Sequence, residues 1–463
     1  MESLIVRVPE RIAARIQLLL RSVPDPETAA RYLERLRQEA PSAFDRVASS
    51  PAALRCAVNL FSYSRFLSEA VLRNPERILQ EANSGNFYRV LTVEEYRERL
   101  ERLLGKAHER MRLIIQKAKN KPRRVLFPEG EHEKILRAAH IMLEEKIGQP
   151  MLIGDTEVIR AKAADLGVPL EKIQIVDPAT WPMREAYIQT LYELRQRSGV
   201  TLSEARELIH NRNLFGAVMV QVGDADALVG GVMQHFPDTI RPALQVIKPR
   251  AGLHKVSGLY ALVTKRGDMY FLADCTVNIE PSAEDLAEIA LCAAEAARRF
   301  DVTPRVAMLS FSNFGSTPHP LAEKVRRAVE LVHKADPALM IDGEMMADTA
   351  VVPEIIAETY PFSNLRGGAN VLIFPDLTSA NTCYKLLSQI GGEEKIGPIL
   401  MGMSKPVHVL QRGAEVEEIV NIAAIAVVDA QETEVRVNGG AGKKSSTVAE
   451  DVAKPQVQAA HLV

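Results

Sequence analysis

Apolar residues recur at helical spacing through the first hundred positions. Ile12, Ile16 and Leu19 share one face of a run opened by Pro9. Asp25 and Pro26 start a second run that continues to Leu36, and apolar positions from Ala52 to Leu72 keep the same period until Pro75 interrupts it. Glu94 to Leu104 is charged, with a leucine stripe. A 3.6-residue period with proline near the starts predicts helices. Nothing in residues 1–105 alternates as a strand does, so this stretch reads as an all-α segment.

From residue 106 to residue 432 the pattern changes. Short apolar runs at Val125–Phe127, Met151–Ile153, Ile173–Val176, Ala217–Val220, Val306–Leu309, Val371–Phe374 and Ile399–Leu400 alternate with helical periods such as Glu133–Glu145, Ser282–Arg299 and Leu321–Lys334. Strands buried on both faces give continuous apolar runs, so the alternation predicts an α/β fold with a largely parallel sheet. Residues 433–463 hold small and polar residues around Gly439, Gly440 and Gly442 with no period, and read as a disordered tail.

Composition narrows the function. The chain has 463 residues, which suggests two or three folded units. A formal net charge of −2 gives no footprint for nucleic acid. No apolar run reaches the ~18–20 residues that cross a bilayer, and no signal peptide opens the chain, so no membrane role is expected. Cys56, Cys275, Cys292 and Cys383 lie far apart, which argues against a zinc site or a disulfide framework and fits a reducing cytoplasm. The histidines show no metal-ligand spacing, so no metal is expected.

Several loops at predicted strand ends offer chemistry. Phe127-Pro128-Glu129-Gly130-Glu131 leaves a strand for a helix, and so does Ser310-Phe311-Ser312-Asn313-Phe314-Gly315-Ser316. Such loops present backbone N–H groups and a helix N-terminus to an anion, or are simply well-capped turns. Asp238-Thr239-Ile240-Arg241 places an arginine ahead of a predicted helix, where it can grip phosphate in a bidentate fork or form a structural ion pair. Gln411-Arg412-Gly413 precedes a predicted helix at Ile419–Ala430, with Glu415, Glu417 and Glu418 in or near its first turn. Acidic residues there also serve as partners of the helix dipole.

Taken in order, these segments resemble the phosphate acetyl/butyryltransferase family. The likeness rests on Arg124 to Glu131, Phe271-Leu272-Ala273-Asp274-Cys275-Thr276-Val277-Asn278, Ile341-Asp342-Gly343-Glu344, Phe374-Pro375-Asp376-Leu377 and Ile396-Gly397-Pro398-Ile399-Leu400. Phe236 to Leu244, Ser312 to Ser316 and Lys405 to Leu410 resemble the branch at the C-terminal end of bacterial NADP-dependent malic enzymes. The resemblance implies a two-subdomain phosphotransacetylase fold of the isocitrate dehydrogenase class. One subdomain would hold residues of about 106–250 and 399–432, the other about 251–398. It also implies a homodimer, acyl-CoA or acetyl phosphate as ligand, and no required cofactor. Carried over by position, Arg412, Glu418 and Arg241 would be catalytic. Ser310, Ser312, Gly315, Ser316, Thr239, Arg241 and Arg412 would hold acyl-CoA or phosphate.

The same resemblance exposes departures. Gln411 stands where the family has a serine, Gln389 where it has an arginine, Glu418 where it has the general-base aspartate, Asn313 and Phe314 where it has Thr and Lys, and Gly230 and Gln234 where it has Ser and His. Loss of about 3 kcal/mol at two such positions costs on the order of 10⁴ in rate. The first expectation is therefore an acyl-CoA-binding regulatory domain with weak or absent transferase activity. An active phosphate acyltransferase and a non-catalytic scaffold are the alternatives. Residues 1–105, through Leu60 to Glu69 and Leu72 to Glu76, resemble the opening of bacterial glutamine synthetase adenylyltransferases, without the paired carboxylates that nucleotidyl transfer needs.

Overall fold

Proline and short hydroxyl or carboxylate side chains set where the first helices begin. Helices run Glu10–Leu20, Pro26–Glu39, Pro41–Ser49, Pro51–Tyr63, Arg65–Arg73 and Glu76–Asn83. Asp25, Ser50 and Ser64 each accept an N–H from the first turn that follows, which satisfies a donor the helix leaves open. Their apolar faces meet in a core that includes Ile16, Leu33, Leu36, Phe44, Leu54 and Phe61, with Tyr32 stacked on Phe61 at 5.6 Å. The computed structural model describes residues 9–83, 106–264, 266–391 and 394–440. The helix expected at Glu94–Leu104 lies outside them.

The chain divides into two compact units, Met1–Glu109 and Arg110–Val463. The second carries two sheets. Strands β1 (Arg124–Phe127), β2 (Gln149–Ile153), β3 (Gln174–Val176) and β4 (Ala227–Gly230) belong to the first, and β5 (Ser257–Val263), β6 (Met269–Ala273), β7 (Arg305–Leu309), β8 (Met340–Met345), β9 (Val371–Ile373) and β10 (Glu394–Met401) to the second. Strand β11 (Val407–Val409) returns to the first sheet. The five-stranded sheet has the order β11-β4-β1-β2-β3 and is parallel throughout. The six-stranded sheet has the order β10-β5-β6-β9-β7-β8 and is antiparallel only at β10–β5 and β5–β6.

The chain therefore crosses between the sheets twice, before β5 and after β10. The two crossings are joined to each other. Arg250 N–H donates to Gly402 O at 2.8 Å and Ser404 N–H to Lys248 O at 3.0 Å, with Pro249 and Met403 forming an isolated bridge. Ile399 and Leu400 pair with β5, so the return to the first sheet comes with β11 rather than at residue 399.

Three sequence expectations change. Ala217–Val220 is not a strand. It lies inside the helix Arg212–Val222, capped by Asn211 and ended by Gly223 at φ 93°. A helix buried on all sides shows no amphipathic period, so its apolar run imitates a strand. Arg241 lies within the helix Phe236–Val246 rather than ahead of it, because Pro237 at the second helical position starts the helix early. The last helix runs Val416–Gly440, so residues 433–440 are not tail. The Thr433 hydroxyl donates to Asp429 O at 2.8 Å, and Arg436 pairs with Glu295 at 2.9 Å. Residues 441–463 lie outside the described part. No described helix is long and apolar enough to cross a membrane.

Candidate active site

Strands β1 and β4 are neighbours, yet β2 and β3 extend from one side and β11 from the other. This is a switch point, where parallel α/β sheets place ligands beyond the carboxyl ends of their strands. The turn after β4 is shaped by Glu129, the buried residue that follows Pro128 at the end of β1. Its carboxylate accepts the N–H groups of Gly231, Val232 and Met233 at 2.8, 2.9 and 2.9 Å. Gly231 has φ 108°, and a Cβ there would lie 3.1 Å from Leu410 O. Only glycine suits that close approach. The loop after β11 is tied to the same turn through Leu410 N–H to Gly230 O at 2.7 Å and Gly413 N–H to Val232 O at 2.9 Å.

These ties bring Arg412 and Arg241 to one open pocket of about 620 Å³, shared with Asn211, Met233, Gln234, His235, Asp238 and Gln245. Arg412 Nη1 lies 3.5 Å from His235 Nε2. Two guanidiniums face one carboxylate here, which favours an anionic ligand. A second pocket of about 750 Å³ continues from Met233 and Gln234 to Asn213, Arg212, Lys162 and Glu131. Asn213 Nδ2 donates to Gln234 Oε1 at 2.7 Å, while its buried Oδ1 has no partner. His235 and Gln245 escaped the sequence reading, since a lone polar residue at a helix cap or on its edge carries no spacing signal.

Gln411 turns the other way, towards the second sheet. Its Nε2 donates to the Tyr260 hydroxyl on β5 at 2.6 Å, and its Oε1 accepts from Lys395 Nζ on β10 at 2.6 Å. Tyr260 is buried and stacked on Tyr384 at 4.1 Å. Burial pushes its hydroxyl well above the ordinary tyrosine range, so the phenol stays protonated.

The other predicted residues have separate roles. Glu418 Oε2 accepts Glu415 N–H at 2.8 Å, the reach-back of a helix cap. Thr239 is buried, with its hydroxyl 3.5 Å from Gln234 Oε1, and does not line the Arg241 pocket. Gln389 ends the helix Leu377–Gln389 and is exposed.

The serine loop stands at the carboxyl end of β7, in the second sheet, organised around Glu344. Ser310 N–H donates to Met345 O at 2.8 Å. The Ser312 hydroxyl and Gly315 N–H donate to Glu344 Oε1 at 3.0 and 2.7 Å, and Arg326 Nε lies 3.1 Å from Oε2. Ser316 Oγ lies 3.2 Å from Ser312 Oγ and accepts Asn313 N–H at 3.1 Å. Burial alone would raise the Glu344 carboxyl. Arg326, Gly315 and Ser312 outweigh it and hold the group below the ordinary glutamate value.

Comparison with known proteins now decides the family. The family model described as phosphate acetyl/butaryl transferase matches residues 110–427. The chain belongs to the phosphate acetyl/butaryl transferase family. It is 40% identical to a phosphate acetyltransferase of Bacillus subtilis over 317 residues, 68% of this chain and 98% of that one. It is also 40% identical to an NADP-dependent malic enzyme of Escherichia coli over 341 residues, 73% of this chain but 45% of that enzyme. A phosphotransacetylase structure from Streptococcus pyogenes superposes with a TM-score of 0.67 at 37% identity, over 70% of this chain and 98% of that one. The fold is thus that of the phosphotransacetylases, preceded by a helical segment. The family match leaves residues 1–109 outside it, and the adenylyltransferase likeness expected there is unsupported.

Proposed function

We propose that residues 110–427 form a phosphate acyltransferase site, which exchanges an acyl group between CoA and phosphate. In that reaction the CoA thiol loses its proton, the thiolate attacks the acyl carbonyl of acyl phosphate, and phosphate leaves with the electron pair. The observation that carries this reading is the convergence of Arg241 and Arg412 on one open pocket at the switch point. Near-complete coverage of an acetyltransferase of B. subtilis supports it. Guanidiniums placed there stabilise the charge that grows on oxygen, an effect worth about 3–4 kcal/mol per well-aimed donor.

A second reading is favoured by Gln411 and Glu418. Gln411 is engaged by Tyr260 and Lys395, and Glu418 by its own helix cap. With both occupied, the pocket would hold acyl-CoA and turn it over slowly or not at all, a sensor rather than a catalyst. Its presence in a chain related to malic enzymes supports this reading.

One experiment separates them. The purified chain is assayed for acetyl-CoA formation from acetyl phosphate and CoA, and melted with and without acetyl-CoA. Turnover that falls about 10²–10³-fold in Arg412→Ala supports the transferase. A melting temperature raised by acetyl-CoA without turnover supports the sensor. Neither response sinks both.

A further inference from the structure

Lys395, beside the loop that carries Arg412, is a cation bonded to a neutral group. Its ammonium bonds the neutral Gln411 amide at 2.6 Å, and among the described residues it has no carboxylate partner. The side chain is half-buried, where a charge acts more strongly than in open water. An ammonium carries three donors, and an amide oxygen neutralises none of its charge. Gln411 in turn precedes Arg412, so the lysine is tethered to the loop that presents the pocket's guanidinium.

Position adds a second argument. Gln389 stands where the family pattern has an arginine. It ends the helix Leu377–Gln389, and Lys395 is the second residue of β10, the next element in the chain. Where the resemblance places an arginine the chain has Gln389, and a lysine close by in sequence bonds the Gln411 side chain in the loop after β11.

We propose that Lys395 binds a phosphate-type anion beside the loop that carries Arg412, with Gln411 as the side chain that holds the ammonium in place and swings aside when the anion arrives. The assignment rests on the phosphate- and acyl-CoA-binding reading above. The anion is a phosphate oxygen, either of inorganic or acyl phosphate or of the CoA carrier. The Tyr260 hydroxyl, released by Gln411, would complete the contact as a neutral donor.

The test is calorimetric titration of the full chain with inorganic phosphate and, separately, with acetyl-CoA. Lys395→Met should weaken phosphate binding at least tenfold and leave acetyl-CoA within threefold, while Lys395→Arg stays within threefold of the parent for both. A tenfold loss for acetyl-CoA alone places the CoA phosphates at Lys395 instead, and still supports the anion site if Lys395→Arg restores it. Unchanged binding of both ligands in Lys395→Met overturns the proposal. So does an equal loss of both that arginine does not rescue, the mark of a merely structural role. Gln411→Ala removes the tether but keeps the charge. It should bind phosphate as well as the parent or better, and a loss as large as that of Lys395→Met counts against the anion site. Arg412→Ala separates the levels. If it abolishes binding while Lys395→Met does not, the pocket stands and the lysine assignment falls. If the parent binds neither ligand, the underlying reading falls with it.

Discussion

His408 Nε2 lies 3.0 Å from Asp429 Oδ2, with both residues buried. Leu400 N–H donates to His408 Nδ1 at 3.3 Å, so the imidazole ties β11 of the first sheet to β10 of the second. Arg299 closes the network by pairing with Asp429, and reaches Glu432 at 2.8 Å. Burial works against the Asp429 charge, and Arg299 and His408 more than offset it, holding the carboxyl below its ordinary value. Arg299→Met leaves a buried carboxylate without its cation. It should cost about 3–5 kcal/mol in urea unfolding at neutral pH, and a loss under 1 kcal/mol would contradict this account.

Glu344 gives the pH dependence its sign. Its folded pKa is depressed, so its contribution is fully present above the unfolded glutamate value, near pH ~4.3, and is lost as pH falls through the lower folded value. Glu344→Gln should remove about 1.5–3 kcal/mol at pH 7, and the gap from the parent should shrink in melts taken at progressively lower pH. A gap that widens in acid would reverse the assignment.

Gln411→Ser removes both bridging hydrogen bonds. Unfolding free energy should drop by about 1–3 kcal/mol. Acyl exchange between acetyl phosphate and CoA should rise by roughly tenfold or more, since serine frees Tyr260 and restores the family's hydroxyl. Stability lost with no change in turnover would show that the glutamine is not what limits the reaction.

Residues 110–440 purified without the first unit should fold, because their core and both sheets lie within that span. Their melting temperature should respond to acetyl-CoA as the full chain does. A fragment that is soluble yet blind to acetyl-CoA would show that the response needs residues 1–109.

The sequence carried the fold well wherever burial leaves a pattern. Val125–Phe127 and Val306–Leu309 read as strands because apolar residues fill both faces, and Asp25-Pro26 marked a helix start by its chemistry. It failed where burial erases the period, as in Arg212–Val222, and where a strand is only a few residues long, as in Val407–Val409. At the site, Arg241 and Arg412 were visible as arginines in loops leading towards helices. Their meeting in one pocket was not, because it depends on Glu129 folding the Gly231 turn against a loop some 180 residues later. Gln411 was legible only as a departure from a family pattern, since the partners that give it meaning, Tyr260 and Lys395, sit on another sheet.

The paired crossings between the sheets have a mechanical consequence. Two separate tethers would let the lobes swing, twist and slide past one another. Here the strands of the connection are stapled together at Arg250–Gly402 and Ser404–Lys248, so the two crossings form one joined ribbon rather than two independent links. A load placed on one crossing is therefore shared at once by the other.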